Sequence, residues 1–274
     1  MITLSEAAAE NAVGMKASNL ALLIRAGFPV PPGFILTADA TDGDNRSLEQ
    51  WVSDARFRQE AAAAFEQIAP PAVVRSSCAA EDLKEASFAG QYETVLNVTA
   101  QNLWESILRC LASKNDRHVQ SYLTQRLGAV AREQAISIIV QELIDADAAG
   151  VIFSHNPVTG NRDEIMINAS FGLGVAVVSG LVTPDLFIVS RQTGAIVQKE
   201  LGHKDSKVVL DREGTRIVET TRETRERFSI RDEQLNELVR MTIAIETLLG
   251  YPVDLEFAYR QGKLYILQAR PITA

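Results

Sequence analysis

Cysteine is nearly missing from this chain: Cys78 and Cys110 are the only two, they lie far apart, and they form no metal-spaced pair. A reduced, cytoplasmic protein is the expectation that follows. Neither cysteine has an electropositive helix start or a histidine beside it in sequence, which argues against a nucleophile. Histidine is almost as scarce. His118, His155 and His203 are scattered, show no ligand spacing and read as structural or surface residues. Basic charge is in deficit, with 27 Lys+Arg against 35 Asp+Glu and a net charge of −8. The basic stripe of a nucleic-acid binder is therefore not expected. No apolar run approaches the length that crosses a bilayer. The N-terminus carries Glu6 and Glu10 in place of a basic start and an apolar core, so a secretory signal is not expected either. Neither a Walker A nor a dinucleotide fingerprint is present, and there is no internal repeat.

What remains is an ordinary globular composition, 46% hydrophobic and 23% charged, in 274 residues that can hold one large domain or two lobes. Residues 14–27 read as a helix with Leu20, Leu23 and Ile24 on one stripe and Gly27 as its stop. Pro29, Pro31 and Pro32 force an extended segment into Gly33-Phe-Ile-Leu-Thr37. A helix over 54–68 ends at Pro70-Pro71, and short strands follow at 72–76 and 95–98, then helices at 101–113 and 115–127. From Ile136 the texture changes. Strand-like runs at 136–140, 150–153, 164–168, 185–189 and 195–199 are separated by turn residues without helices, which argues for an antiparallel sheet. Ser229-x-x-Asp232 reads as the opening of a long helix whose Leu235, Leu238, Met241, Ile245 and Leu248 fit a 3.6 period. The expected class is α+β in two lobes, 1–130 and 131–274.

The most informative stretch is the C-terminal 252–273, which reads as a β-hairpin around Arg260-Gln-Gly-Lys263. Asp254 and Glu256 share one strand face, and Gln268 and Arg270 share another. If pairing brings those faces together, two carboxylates, an amide oxygen and a guanidinium meet, a set that suits Mg²⁺ and an adjacent phosphate. The alternative is an amphipathic hairpin with a solvated face. Lys16 follows Gly14 at a helix start, where it either helps hold an anion or is simply solvated. Arg75 closes an apolar strand and needs an anionic partner, a phosphate or the nearby Glu81-Asp82 pair. Ser87-Phe-Ala-Gly-Gln91 is a small-residue loop, fit either to approach a phosphate or to serve as a plain connection. Gln141-Glu-Leu143 ends a strand whose backbone could read a purine edge, as any strand could. Asn168-Ala-Ser-Phe-Gly-Leu-Gly174 reads as a glycine-supported bend.

These pieces occur together and in one order, including Gly14-Met-Lys-Ala-Ser-Asn-Leu20, Pro29-Val-Pro-Pro-Gly-Phe34, Val74-Arg-Ser-Ser77, Ala86-Ser-Phe-Ala-Gly-Gln91, Asn156-Pro-Val-Thr-Gly160, Gly172-Leu-Gly174, Val178-Ser-Gly-Leu-Val-Thr-Pro-Asp185 and Leu267-Gln-Ala-Arg-Pro-Ile-Thr273. Over nearly its whole length the chain resembles the N-terminal nucleotide-binding domain of the phosphoenolpyruvate synthase and pyruvate phosphate dikinase family, which also includes rifampicin phosphotransferases. The resemblance implies an ATP-grasp fold with mostly antiparallel sheets, in which two lobes hold ATP. It implies that Lys16 and Arg75 contact the ATP phosphates, that Gly90 and Gln91 belong to the loop above them, and that Gln141 and Leu143 flank adenine. It implies that Glu256 and Gln268 hold Mg²⁺ with Asp254 close by, and that Arg270 stabilises charge on the transferring phosphoryl group.

The departures matter as well. Family members carry a swivelling domain with a phosphorylated histidine and a domain for the final acceptor, and this sequence holds no Thr-Ser/Cys-His-Ala segment. Either the histidine-bearing and acceptor-binding partners are separate domains or chains, or the sequence is an excised fragment, or the protein does something simpler. The charge and the lack of a long apolar run argue against nucleic acid and membrane as partners. Val175 stands where the family usually has glutamate, and Met15 where glycine is common. The leading expectation is an ATP-dependent phosphotransfer component. A stand-alone ATP-grasp ligase or small-molecule kinase is a second reading, and a non-catalytic nucleotide-binding subunit a third.

Overall fold

A computed structural model describes residues 1–7, 13–37, 50, 52–78, 93–113 and 136–272. The polypeptide divides into two compact units. The first takes its described residues from 1–27 and 31–143, and the second from 28–30 and 144–272.

In the first unit, strands β1 (Ile2–Thr3), β2 (Gly33–Leu36), β3 (Ala72–Cys78), β4 (Thr94–Val98) and β5 (Ile136–Glu142) form a five-stranded sheet in the order β1-β2-β5-β3-β4. Every pair is antiparallel. Alternation along β3 decides what each face does. Ala72, Val74, Ile138 and Val140 face a core closed by helices α2 (Ala55–Gln67) and α3 (Leu103–Ala112) through Phe57, Ala61, Phe65, Leu103 and Ile107. Asp54 caps α2, its carboxylate accepting from the N–H groups of Arg56 and Phe57. The opposite face of β3 carries Val73, Arg75 and Ser77. Helix α1 (Gly14–Arg25) meets β3 where the Ala17 N–H donates to Ser77 Oγ at 3.3 Å.

One expectation is corrected here. The change of texture at residue 136 placed 136–140 with the C-terminal lobe, yet β5 lies inside the first unit's sheet, laddered to β2 on one side and β3 on the other. Its continuous apolar run is that of a central strand buried on both faces, a pattern shared by both units. The expected boundary near 130 and the expected helix over 115–127 lie outside the described residues.

The second unit is built on a six-stranded antiparallel sheet ordered β13-β12-β6-β7-β8-β9, from β6 (Ala148–Phe153), β7 (Glu164–Phe171), β8 (Asp185–Ser190), β9 (Ile196–Glu200), β12 (Val253–Arg260) and β13 (Lys263–Pro271). A separate hairpin pairs β10 (Ser206–Leu210) with β11 (Thr215–Glu219), two strands that hydrophobic patterning had not marked. Short helices α4 (Val175–Val178) and α5 (Arg222–Arg225) precede the long α6 (Asp232–Leu249). The expected class, α+β with mostly antiparallel sheets, is what the described residues show. Among them no helix is long and apolar enough to cross a membrane.

The start of α6 also differs from expectation. Ser229 does not cap it: its N–H and its hydroxyl both donate to Asp185 Oδ2 at 2.7 Å. The cap position falls to Arg231, whose N–H donates to Gln234 Oε1 at 3.0 Å. Asp185 is wholly buried and also accepts from the Gly202 N–H at 2.9 Å and from the buried Lys204 ammonium. A buried carboxylate demands that many donors, and Ser229 is recruited for that purpose rather than for the helix. The bend at Gly172 is as expected. Its φ of +78° suits glycine, and a Cβ there would lie 2.4 Å from Val208 O.

Candidate functional site

Each unit gathers its own set of the residues singled out in the sequence. In the first, Arg75 is 7% exposed on β3 and its Nη2 donates to Gln141 Oε1 at 2.7 Å. Gln141, on the neighbouring strand, turns its Nε2 to the carbonyl of Pro31 at 2.9 Å. The amide thus works through its side chain, orienting a guanidinium against a fixed backbone oxygen. Lys16 is half-buried in the first turn of α1, one residue before the Ala17–Ser77 contact, and Ser77 lies two residues beyond Arg75 on the same face. Arg75 and the start of α1, with Lys16, are therefore tied to one strand end.

The purine-edge expectation at Gln141-Glu-Leu143 meets two backbone donors that already have partners. Strand β5 runs on through Glu142, the Glu142 N–H donates to Pro32 O and the Leu143 N–H to Pro71 O, both at 2.9 Å. Those two donors are occupied within the unit, so neither reads a purine edge in this conformation. Gly90 and Gln91 lie outside the described residues, as do Glu81, Asp82 and His118.

In the second unit the hairpin forms around Gln261 and Gly262, with φ of +52° and +77° and Arg260 opposite Lys263. Two positive φ values make the turn that matches strand twist. The register then sets Glu256 opposite Gln268 and Asp254 opposite Arg270. Directly opposed residues of an antiparallel pair project to one face, so the four groups that the sequence nominated do meet. A register shift between Glu256 and Phe257 produces this, because Phe257 pairs with Ile266 and Leu267 is left as the extra residue of a β-bulge. Strict alternation from the turn would have put Leu267 opposite Glu256 and turned Gln268 to the core face.

Arg270 makes a fork with Asp254, Nε and Nη2 reaching Oδ2 at 2.7 and 2.6 Å. Asp254 is 5% exposed, and its Oδ1 is buried without a hydrogen-bond partner among the described residues. Burial pushes the Asp254 carboxyl above the ordinary carboxylate range, the Arg270 charge and hydrogen bond pull against it, and Glu256 pushes upward again. Glu256 is half-buried and Gln268 mostly buried. Among the described residues no group of three or more His, Cys, Asp or Glu could enclose a metal. The hairpin therefore offers hard oxygens for part of a coordination shell, which fits a cation that draws its remaining ligands from phosphates and water. The unsatisfied Asp254 oxygen next to that pair agrees with such a group being accommodated there.

The same face carries a feature that the motifs did not signal. Ala258, two residues beyond Glu256, pairs with Tyr265 and with Ala149, and these join Ile144, Ala146 and Leu267 in one apolar cluster. Ala149 and Ala258 are small, and Ala146, Tyr265 and Leu267 stay half-buried at its edge. The bulge is again responsible, since it leaves Leu267 beside Gln268. The alanines of Ala146-Asp-Ala-Ala149 were the available hint. Val175 opens α4 and is partly exposed, so the departure noted in the sequence falls at a helix start.

Residues 44–274 match the family described as the pyruvate phosphate dikinase, AMP/ATP-binding domain. An uncharacterized phosphotransferase YvkC of Bacillus subtilis strain 168 is 42% identical, the match covering 95% of this chain and 33% of that protein. A probable phosphoenolpyruvate synthase of Methanocaldococcus jannaschii is 35% identical, covering 95% and 25%, and the phosphoenolpyruvate synthase of Pyrococcus furiosus 34% identical, covering 95% and 42%. The chain thus spans between a quarter and less than half of the length of these relatives. Among solved structures, PH1788 of Pyrococcus horikoshii covers 99% of this chain and 96% of its own at 11% identity and a TM-score of 0.44.

Proposed function

The chain belongs to the pyruvate phosphate dikinase AMP/ATP-binding family, and from that premise we propose that it binds Mg-ATP and passes a phosphoryl group to a histidine on a partner domain. The observation that carries the reading is the hairpin register, with Glu256 opposite Gln268 and Asp254 opposite Arg270. In this ATP-grasp reading the first unit supplies Lys16 and Arg75 to the phosphates, and Gln141 sets the direction of the Arg75 fork. Gly90 and Gln91 keep the phosphate-loop role that the family resemblance implies. In the second unit Glu256 and Gln268 would hold Mg²⁺, which when bound offsets negative charge on phosphate oxygens.

The apolar cluster around Ala258, Tyr265 and Leu267 continues from Gln268 and offers a flat contact for the base, a role that the backbone donors of Glu142 and Leu143 leave open. Arg270, oriented by Asp254 through Nε and Nη2, would meet the charge that grows as the phosphoryl group moves. The protein is asked for positioning and charge stabilisation rather than for covalent chemistry.

The test is product analysis with a histidine-bearing partner domain present. Wild type should yield AMP, phosphohistidine and inorganic phosphate, one phosphoryl group going to the histidine and the other to water. Arg270→Ala should lose turnover by about 10³–10⁵ while Mg-ATP affinity changes far less. A wild-type protein that produces neither AMP nor ADP with its partner contradicts the proposal. ATP turnover at the same rate without any partner would instead favour the stand-alone ligase or kinase.

A further inference from the structure

Ser154 follows the last residue of β6 at the end of the sheet where Asp254 and Arg270 sit, and each of its polar groups is engaged. Its N–H donates to Val253 O at 2.9 Å and its carbonyl accepts from Arg191 Nη1 at 3.1 Å. Its hydroxyl accepts from the Val253 N–H at 2.9 Å and donates to Glu246 Oε1 at 3.2 Å. Arg191 Nη2 forms an ion pair with Glu246 Oε2. Ser154 is fully buried and the Arg191 and Glu246 side chains mostly so. The end of β6, the turn after β8, the C-terminal part of α6 and the start of β12 thus converge on one serine, with α6 and β12 meeting at its hydroxyl. The next rung of the ladder pairs Phe153 with Asp254.

We propose that Ser154 and Glu246 form a latch that positions Arg270. The Val253 N–H is held by a side-chain oxygen instead of a strand carbonyl, so one of the bonds that hold the start of β12 depends on a serine rotamer. A serine hydroxyl rotates freely unless its own proton is directed, and Glu246 directs it. Glu246 is in turn fixed by Arg191. Holding Val253 fixes the backbone of Asp254, and Asp254 holds two nitrogens of the guanidinium. The latch is a positioning device, since none of its members belongs to the phosphate, metal or base sets above. It rests on the reading that Arg270 serves phosphoryl transfer.

Two readouts separate the latch from that reading. Exchange of the Arg270 Nε proton, followed by NMR in mildly acidic solution, reports the fork directly and needs no substrate. Ser154→Ala should speed that exchange by about tenfold or more, as local opening becomes easier. In the partner-domain assay the same variant should lose turnover by about 10²-fold with Mg-ATP affinity nearly unchanged, because misplacement costs orientation rather than binding. Glu246→Gln keeps an acceptor for the serine and loses only the ion pair, so it should change both readouts in the same direction by less. Should Ser154→Ala fail to fold, Glu246→Gln decides alone. Unchanged proton exchange in the folded variants overturns the latch whatever the activity. Equal losses of affinity and turnover overturn it too, as general structural damage. A silent wild type defeats the phosphotransfer reading, and the exchange measurement still decides the latch.

Discussion

Glu256 stands directly across the hairpin from Gln268 because Leu267 is an extra residue in the second strand. The pair places a carboxylate and an amide oxygen on adjacent strands of a sheet, where neither has a loop's freedom to move. Glu256→Gln should therefore weaken the Mg²⁺-dependent part of ATP binding, an amide being a poorer magnesium ligand than a carboxylate. Titrations with and without Mg²⁺ separate the effects. An identical loss in both series would make Glu256 a structural residue.

The Arg75–Gln141 bond leads to a second expectation. Gln141→Ala removes the acceptor at 2.7 Å from a buried guanidinium. Hydrogen bonds to charged groups contribute about 1.5–3 kcal/mol, so urea unfolding should register a loss of that order. Mg-ATP affinity should fall as well, since Arg75 loses its orientation. A variant that keeps both stability and affinity would show that Arg75 finds its direction elsewhere.

Lys204 and Asp185 are both wholly inaccessible and paired. Lys204→Met leaves the Asp185 charge buried with only the Gly202 and Ser229 donors. Breaking a buried pair from one side costs about 3–5 kcal/mol, and the melting temperature should drop by about 10 °C. A loss within about 1 kcal/mol, the range of exposed pairs, would mean that the site relaxes or takes in water.

Cys110 is buried, with Sγ near the carbonyls of Val74 and Glu93 at 3.4 and 3.3 Å. Burial, reinforced by the Glu93 charge, pushes its thiol from 9.0 up to about 12. A group whose folded pKa is raised contributes stability that is intact below the unfolded value and lost as pH climbs toward the folded one. The loss should therefore begin near pH 9 and develop toward pH 12. At about pH 10.5 it amounts to about 2 kcal/mol, and Cys110→Ala should lack that part of the pH dependence. Parallel pH profiles for the two proteins would contradict the assignment.

Sequence pattern located most elements because their periods are strong: α1, α2 and α6 and the strands of the second sheet lie within a few residues of expectation. The terminal hairpin and its four polar residues were legible for the same reason. The bulge was not, since nothing in Ile266-Leu-Gln268 distinguishes an extra residue from a regular one until the partner strand is present. Strand β5 was misassigned because its apolar run fits either sheet. Ser229 misled because a buried Asp185, distant in sequence, competes for the same hydroxyl as the helix. The β10–β11 hairpin escaped because its strands are short, β11 is largely exposed and β10 buries only Val208, with little apolar alternation.

The central claim is that this chain binds Mg-ATP and that the hairpin takes part in holding it, and thermal unfolding with Mg-ATP tests it most directly. At a ligand concentration about a hundred times the dissociation constant, binding should add about 2.7 kcal/mol. For a chain of this length the melting temperature should rise by about 5 °C or more. The account predicts that rise for wild type and a clearly smaller one for Glu256→Gln. Identical melting with and without Mg-ATP would contradict it.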